Sequence, residues 1–478
     1  MLFNSFEFAL FLPIVFFLYW IAANNNLRYQ NFVLLIAGYF FYGWWDYRFV
    51  FLLAFSTFLD FYSGLRISAA ASDRSKKSWL LASILINVGF LGIFKYYNFF
   101  IESFADLLRS IGFQPHYTTL QIILPIGISF YTFHGLSYVI DIYHAKSQPT
   151  RSLLSYAIFV CFFPLLVAGP IERAGHLLPQ MEKLRKFDYS KAVDGARQVL
   201  WGLFKKIVIA DNCATYANRI FENYSNESGS TLFLGAVFFA FQIYCDFSGY
   251  SDIAIGVAKI FGFDVIRNFA FPYFSRDIAE FWRRWHISLT SWFRDYVYIP
   301  LGGSRGSRTK AIINTFIIFL ISGFWHGANW TFIVWGLIHA LYFLPILLLK
   351  RNRAHTDIVA KSKLLPSARE FIQISTTFFL TTIAWIFFRS KTITDAFHYC
   401  KQLFSKSLLT FPKKHPKEIM ILLLVFIAVE WLQREKQHAL QFENVKLNKV
   451  SRWAIYYGLV VSILVFAGAR QEFIYFQF

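Results

Sequence analysis

Residues 1–23 read MLFNSFEFALFLPIVFFLYWIAA, and the fold class turns on how they are read. From Phe6 to Ala23 the run is apolar apart from Glu7. No Lys or Arg precedes it and no small-residue cleavage site follows it, so a cleaved secretory leader is not expected. The run exceeds the roughly 17 apolar residues that a crossing needs, and it reads as a retained transmembrane helix. The same texture recurs near 31–45, 49–65, 79–98, 119–142, 153–168, 197–210, 231–262, 311–325, 329–349, 371–388, 418–432 and 453–468. Across the 478 residues, 56% are hydrophobic, 21% aromatic and only 16% charged. Ordinary soluble proteins carry about 25% charged residues. The 59 Phe, 26 Tyr and 14 Trp are more than soluble domains of this size can hide. A chain in lipid must satisfy its backbone hydrogen bonds internally. The expected class is therefore an all-α polytopic integral membrane protein, a helical bundle of roughly 10–12 transmembrane helices with further re-entrant or interfacial helices. No repeat or long linker divides it, so residues 1–478 are expected to form a single membrane-embedded domain with its core near 119–349.

The formal net charge of +19 does not point to nucleic acid. The bases collect in short loops between apolar segments, as the positive-inside rule describes, and no nucleic-acid-binding motif accompanies them. Residues 66–78 and 350–370 are base-rich and read as cytoplasmic, whereas 99–118 and 211–230 read as external. Strict alternation would put 389–417 outside despite its seven bases against Asp395, so simple alternation is expected to fail near there. Cys161, Cys213, Cys245 and Cys400 are widely separated; neither a disulfide framework nor a metal site is expected.

Two regions carry candidate chemistry. The first interrupts the apolar pattern over 264–310, with RDIAEFWRRWHISLTSWFRDYVYIPLGGSR at 276–305. Eight bases face four acids there, and Glu280 can pair with Arg284 one helical turn away. Trp282, Trp285 and Trp292 suit a membrane–water boundary. Such a stretch is either an interfacial helix anchored by aromatics and lipid phosphates, or a basic mouth in which Arg283, Arg284 and Arg294 hold a polyanionic ligand. The second region is GFWHGANWTFIVWGLIHA at 323–340. His326 lies at the far end of an apolar run that starts near Ala311, deep relative to Lys310. An ionisable group at that depth is a functional hypothesis, and His suits general acid–base work. The alternative is a core histidine bonded to a carbonyl. His339 carries the same ambiguity with weaker context.

Further charges fall within apolar stretches. Asp60 and Lys95 can neutralise each other, and Asp246 and Asp252 either mark an ion pathway or bond a broken backbone around Gly249. No GxxxxGK[ST], GxSxG or HExxH occurs, so ATP hydrolysis, serine-hydrolase chemistry and a zincin site have no sequence support.

With His286 and His326 both in view, the chain resembles the membrane-bound O-acyltransferase superfamily, and within it the bacterial alginate O-acetyltransferase branch. The resemblance rests on the opening MLFNSFEFALFLPIVFFLYW, on PIGISFYTFHGLSYVIDIY from Pro125, and on GPIER from Gly169. It continues through YCDFSGYSDIAIG, FPYFSRDIAEFWRRWHISLTSWFRDYVYIPLGG and GFWHG to the ending RQEFIYFQF. It implies that His326 in GFWHG is the catalytic histidine and that His286 in RRWHISL is the second motif position, orienting the donor or stabilising developing charge. It also implies a multi-pass protein of the inner (cytoplasmic) membrane, with a tunnel joining its two faces. Acetyl from cytoplasmic acetyl-CoA, a substrate and not a bound cofactor, would pass to an extracytoplasmic polysaccharide. A periplasmic or membrane-anchored polysaccharide acetyltransferase is the implied partner. Within the superfamily the alternative is a D-alanyl transferase for teichoic acid. Outside it, a transporter for polysaccharide or lipid-linked sugar would rest on Asp246, Asp252 and the Asp60/Lys95 pair.

Overall fold

A computed structural model describes residues 1–22, 26–121, 123–442, 447–468 and 471–474. Ala23, at the end of the opening apolar run, and positions 470 and 475–478 of the RQEFIYFQF ending lie outside the described residues. Among the described residues every regular element is helical. Among the described residues, six helices are long and apolar enough to cross a membrane: Arg48–Ala69, Asp73–Ser110, Gly229–Ile260, Arg308–His326, Trp330–Leu348 and Ala368–Arg389. Other apolar stretches form shorter helices, among them Leu27–Gly43, Ile128–Tyr143, Lys417–Leu432 and Lys449–Val465. Polar caps set many of their starts: Asn26 accepts from the backbone of Arg28 and Tyr29, and Asn448 from that of Ser451.

Burial separates two kinds of apolar helix. Gly229–Ile260 has 83% of its apolar window inside the protein, whereas Asp73–Ser110 has 17%. The second exposes Leu85, Ile93, Phe100 and Phe104, a face that would be a liability in water and that hydrocarbon covers without cost.

The chain groups into two compact units. One comprises Met1–Gly195 and Ala254–Ile266, the other Ala196–Ile253 and Arg267–Phe478. In the first, small residues let helices approach backbone to backbone: a Cβ on Gly38 would stand 2.2 Å from the Cys161 carbonyl oxygen. Asp60 is buried there and accepts from Ser83 Oγ at 2.6 Å and Asn87 Nδ2 at 2.8 Å. These neutral partners, on the helix that follows its own, take the place of the Lys95 pairing expected from sequence; no Asp60–Lys95 ion pair occurs among the described residues.

The Gly229–Ile260 helix, whose residues 229–253 belong to the second unit, runs unbroken through Gly249, which corrects the expectation of a broken backbone there. Gly249 serves close packing instead, since its Cβ would lie 2.8 Å from the Gly202 carbonyl oxygen. Asp252 pairs with Lys205 at 2.6 Å, and Lys206 pairs with both Asp246 at 2.7 Å and Asp211 at 2.8 Å. The two lysines follow one another in a π-helical stretch, Phe204–Ala210, and both are buried.

Candidate active site

The second unit holds His286 and His326. The helix Ile278–Arg284 starts at Asp277, whose side chain accepts from Glu280 N, and ends as Trp285 turns extended. His286 then takes up the left-handed conformation, φ 43° and ψ 54°, before the helix Ile287–Phe293 begins. This reversal is clamped by residues 268–270: Ala270 N donates to Arg284 O, and Ile287 N to Asn268 O. Asn268 also fixes the imidazole. Its Oδ1 lies 3.0 Å from His286 Nδ1 and accepts from Ser288 Oγ at 2.9 Å, while its Nδ2 donates to Ser251 Oγ. An oxygen facing Nδ1 requires a proton on Nδ1, so the neutral ring presents Nε2 as an acceptor. His286 is buried, with the Phe247 ring edge-on at 4.6 Å.

His326 is the last residue of the Arg308–His326 helix, and Gly327 leaves the helix in extended backbone. A side chain at Gly327 would collide with the Phe332 ring. His326 is buried, with Trp325 at 4.9 Å, Trp335 at 5.1 Å and Phe388 at 5.4 Å around its ring. The Trp325 ring also lies 6.1 Å from that of His286. The fold thus brings the two histidines, forty positions apart in sequence, against one indole. Aromatic walls exclude water around both, and electrostatic interactions strengthen in such surroundings.

A cavity of about 330 Å³ opens in the same unit, with neither histidine among its lining residues. Leu289, Phe293, Phe319 and Phe343 give it an apolar interior, with Arg283 and Arg294 among its lining residues. Ser322, also lining it, stands one helical turn before His326. Arg283 is oriented by donating to the carbonyl oxygens of Asn352 and His355. Arg294 pairs with the neighbouring Asp295. Arg284 is engaged elsewhere: it bonds Glu280 at 2.8 Å and the carbonyl oxygens of Ala270 and Asp357. Arg276 completes that cluster on Glu280 and, by its hydrogen bond, holds the Asp357 carboxyl below the usual carboxylate range. A third arginine at the cavity, Arg353, comes from the basic stretch 350–370. Reading the 264–310 segment by itself does not find it, because only folding joins the two. Asn268 escaped the sequence reading for a similar reason: nothing local marks an asparagine as a partner for a histidine eighteen positions on.

In the first unit two of the motifs meet. His134 Nε2 accepts from the Glu172 backbone N–H, and the buried Glu172 carboxylate faces His176 Nδ1 at 2.8 Å and accepts from Ile266 N.

The sequence profile of the membrane-bound O-acyltransferase family matches residues 148–384. The chain is 40% identical over 407 residues to a probable alginate O-acetylase, AlgI, of Pseudomonas aeruginosa, covering 85% of this chain and 75% of that protein. It is 35% identical over 432 residues to a peptidoglycan O-acetyltransferase of Helicobacter pylori, covering 84% and 79%. It is 29% identical over 239 residues to a teichoic acid D-alanyltransferase of Bacillus subtilis, covering 48% and 60%.

Proposed function

Since the chain belongs to the membrane-bound O-acyltransferase family and is an O-acyltransferase, we propose that it moves acetyl groups from acetyl-CoA to an extracytoplasmic polysaccharide. The observation that carries this reading is the meeting of His286 and His326 at Trp325, one helical turn from an arginine-lined cavity. The greater identity and coverage of the O-acetylating relatives favour acetyl over D-alanyl as the transferred group.

In this mechanism Arg283, Arg294 and Arg353 attract the CoA phosphates, and the apolar interior receives the thioester end. A neutral His326 takes the proton from an incoming hydroxyl as its oxygen attacks the thioester carbonyl carbon. The C–S bond then breaks, the sulfur leaves as thiolate, and the imidazolium returns its proton to that sulfur. General-base help of this kind contributes typically 10²–10⁴-fold. His286, with Nε2 turned out as an acceptor, holds an N–H or a second hydroxyl of the substrates, leaving the attacking hydroxyl's proton to His326, and does not donate to a developing oxyanion. The enzyme works in the inner membrane and hands acetyl to a periplasmic or membrane-anchored acetyltransferase that modifies the polymer.

Labelled acetyl-CoA added to inverted membrane vesicles, with parental polymer and native membrane partners present, tests the assignment. Label reaches polymer or partner with wild type, and His326→Ala reduces it by at least about 100-fold at equal protein level. Full transfer by that variant would overturn the role given to His326.

A further inference from the structure

His339 lies one helical turn past Trp335 on the Trp330–Leu348 helix and is fully buried. Its imidazole is enclosed by aromatic rings, with Trp282 and Trp335 each at 4.9 Å and Phe319 at 6.3 Å. Among the described residues neither of its ring nitrogens has a hydrogen-bond partner, and neither do the indole N–H groups of Trp282 and Trp335. The two indoles lie together: Trp335 is 5.7 Å from Trp282. Buried polar groups are nearly always bonded, and one left unsatisfied destabilises the fold. Packing alone does not call for these groups, because phenylalanine would fill the His339 position without that cost.

The cluster is chemically one-sided. An indole N–H only donates, and a neutral imidazole supplies one donor and one acceptor. Donors in excess suit a ligand with several neutral acceptor oxygens and do not suit a cation. Its location names the ligand. Trp282 and Phe319 both line the arginine-rimmed cavity, and Trp335 touches the His326 ring at 5.1 Å. His339 therefore packs against one tryptophan of the cavity wall, Trp282, and one that touches the proposed base, Trp335.

We propose that His339, with Trp282, is a positioning residue that hydrogen-bonds the amide carbonyl oxygens of the donor's arm as its thioester advances from the cavity to His326. A turn of the Trp282 ring, already at the cavity wall, opens these groups to the arm. The inference rests on the donor reading above and adds a selection for thioesters whose arm carries amides.

The test compares acetyl-CoA with S-(2-hydroxyethyl) thioacetate, an acetyl thioester without amides, in membranes that retain the native partners. In His339→Phe the wild-type preference for acetyl-CoA falls about tenfold, the order supplied by one neutral hydrogen bond. The loss enters through KM for acetyl-CoA, and the purified variant melts no lower than wild type. His339→Gln, which keeps a donor and an acceptor, recovers part of the preference. An unchanged preference would overturn the proposal, as would an equal loss on both donors accompanied by a lowered melting temperature. Failure of the wild type itself to use acetyl-CoA would overturn the donor reading, a result separate from any effect of His339.

Discussion

At the residue scale, His286 is held in left-handed backbone, a conformation that costs a non-glycine residue stability. A non-glycine residue held there costs roughly 1–2 kcal/mol. The surrounding clamp, Ala270 to Arg284 and Asn268 to Ile287, maintains it. Strain and chemistry separate by substitution. His286→Gly relieves the strain and His286→Ala does not, so the glycine variant should unfold about 1 kcal/mol later than the alanine variant. Neither restores transfer if the ring is needed. Thermal melting of the detergent-purified variants, read beside acetyl transfer in vesicles, measures both. An alanine variant as stable as the glycine variant would mean that the strain is absorbed elsewhere. As candidates, His286 and His326 were legible in the sequence because each sits among apolar residues inside a distinctive motif. Arg284 was equally visible, yet its guanidinium is spent on Glu280, and sequence does not say which of two adjacent arginines faces a cavity.

At the scale of elements, the apolar runs announced helices plainly, and their lengths less so. The span Asp73–Ser110 runs past the expected stretch 79–98 into 99–118, which read as an external loop, because a π-helical turn at Gly92–Tyr96 carries the helix on and no proline intervenes. The segment 197–210 keeps Lys205 and Lys206 buried because both are paired within the unit. The pair of helices that carries His326 and His339 depends on glycine. A Cβ on Gly323 would lie 2.3 Å from the Phe332 carbonyl oxygen, and one on Gly336 2.4 Å from that of Phe319. Backbone atoms cannot swing aside as a side chain can, so either substitution must part the helices. Gly323→Ala should destabilise by about 1–3 kcal/mol, the usual cost of overpacking. It should also lower transfer, because His326 and Trp335 sit on the two helices so displaced. Melting temperature and labelled transfer check this together; an alanine variant with wild-type stability would show that the helices have room to spare.

At the scale of the molecule, composition alone placed the chain in a membrane, and its helices agree: apolar faces too large for water coexist with buried charges that only folding can neutralise. The acids Asp246 and Asp252 were visible as anomalies in an apolar run. Their partners were not, because pairing across forty or more positions depends on which helices meet. The second unit gathers them into one network. Lys205 bonds Asp252 and Ser248, Gln198 donates to Asp252, and Tyr244 donates to the buried Glu430. Lys206 joins Asp246 and Asp211 and also donates to the Gln471 carbonyl oxygen, while Ile474 N donates to Asp246. Residues from 198 to 474 are thereby tied by charge and hydrogen bonds. Such an arrangement fits a scaffold better than an ion pathway, since Asp246 and Asp252 each already lie against a lysine, and the two roles predict opposite behaviour. Lys205→Met leaves the part-buried Asp252 without its cation, a loss of about 3 kcal/mol, the low end of what breaking a buried pair on one side costs. Replacing both members, Lys205→Met with Asp252→Leu, removes the uncompensated charge, and much of the lost stability should return. If the pair is scaffold, acetyl transfer follows stability through the series: weak in the single variant, recovered in the double. A double variant that is as stable as wild type and yet inactive would assign the pair to the chemistry of transfer or of transport.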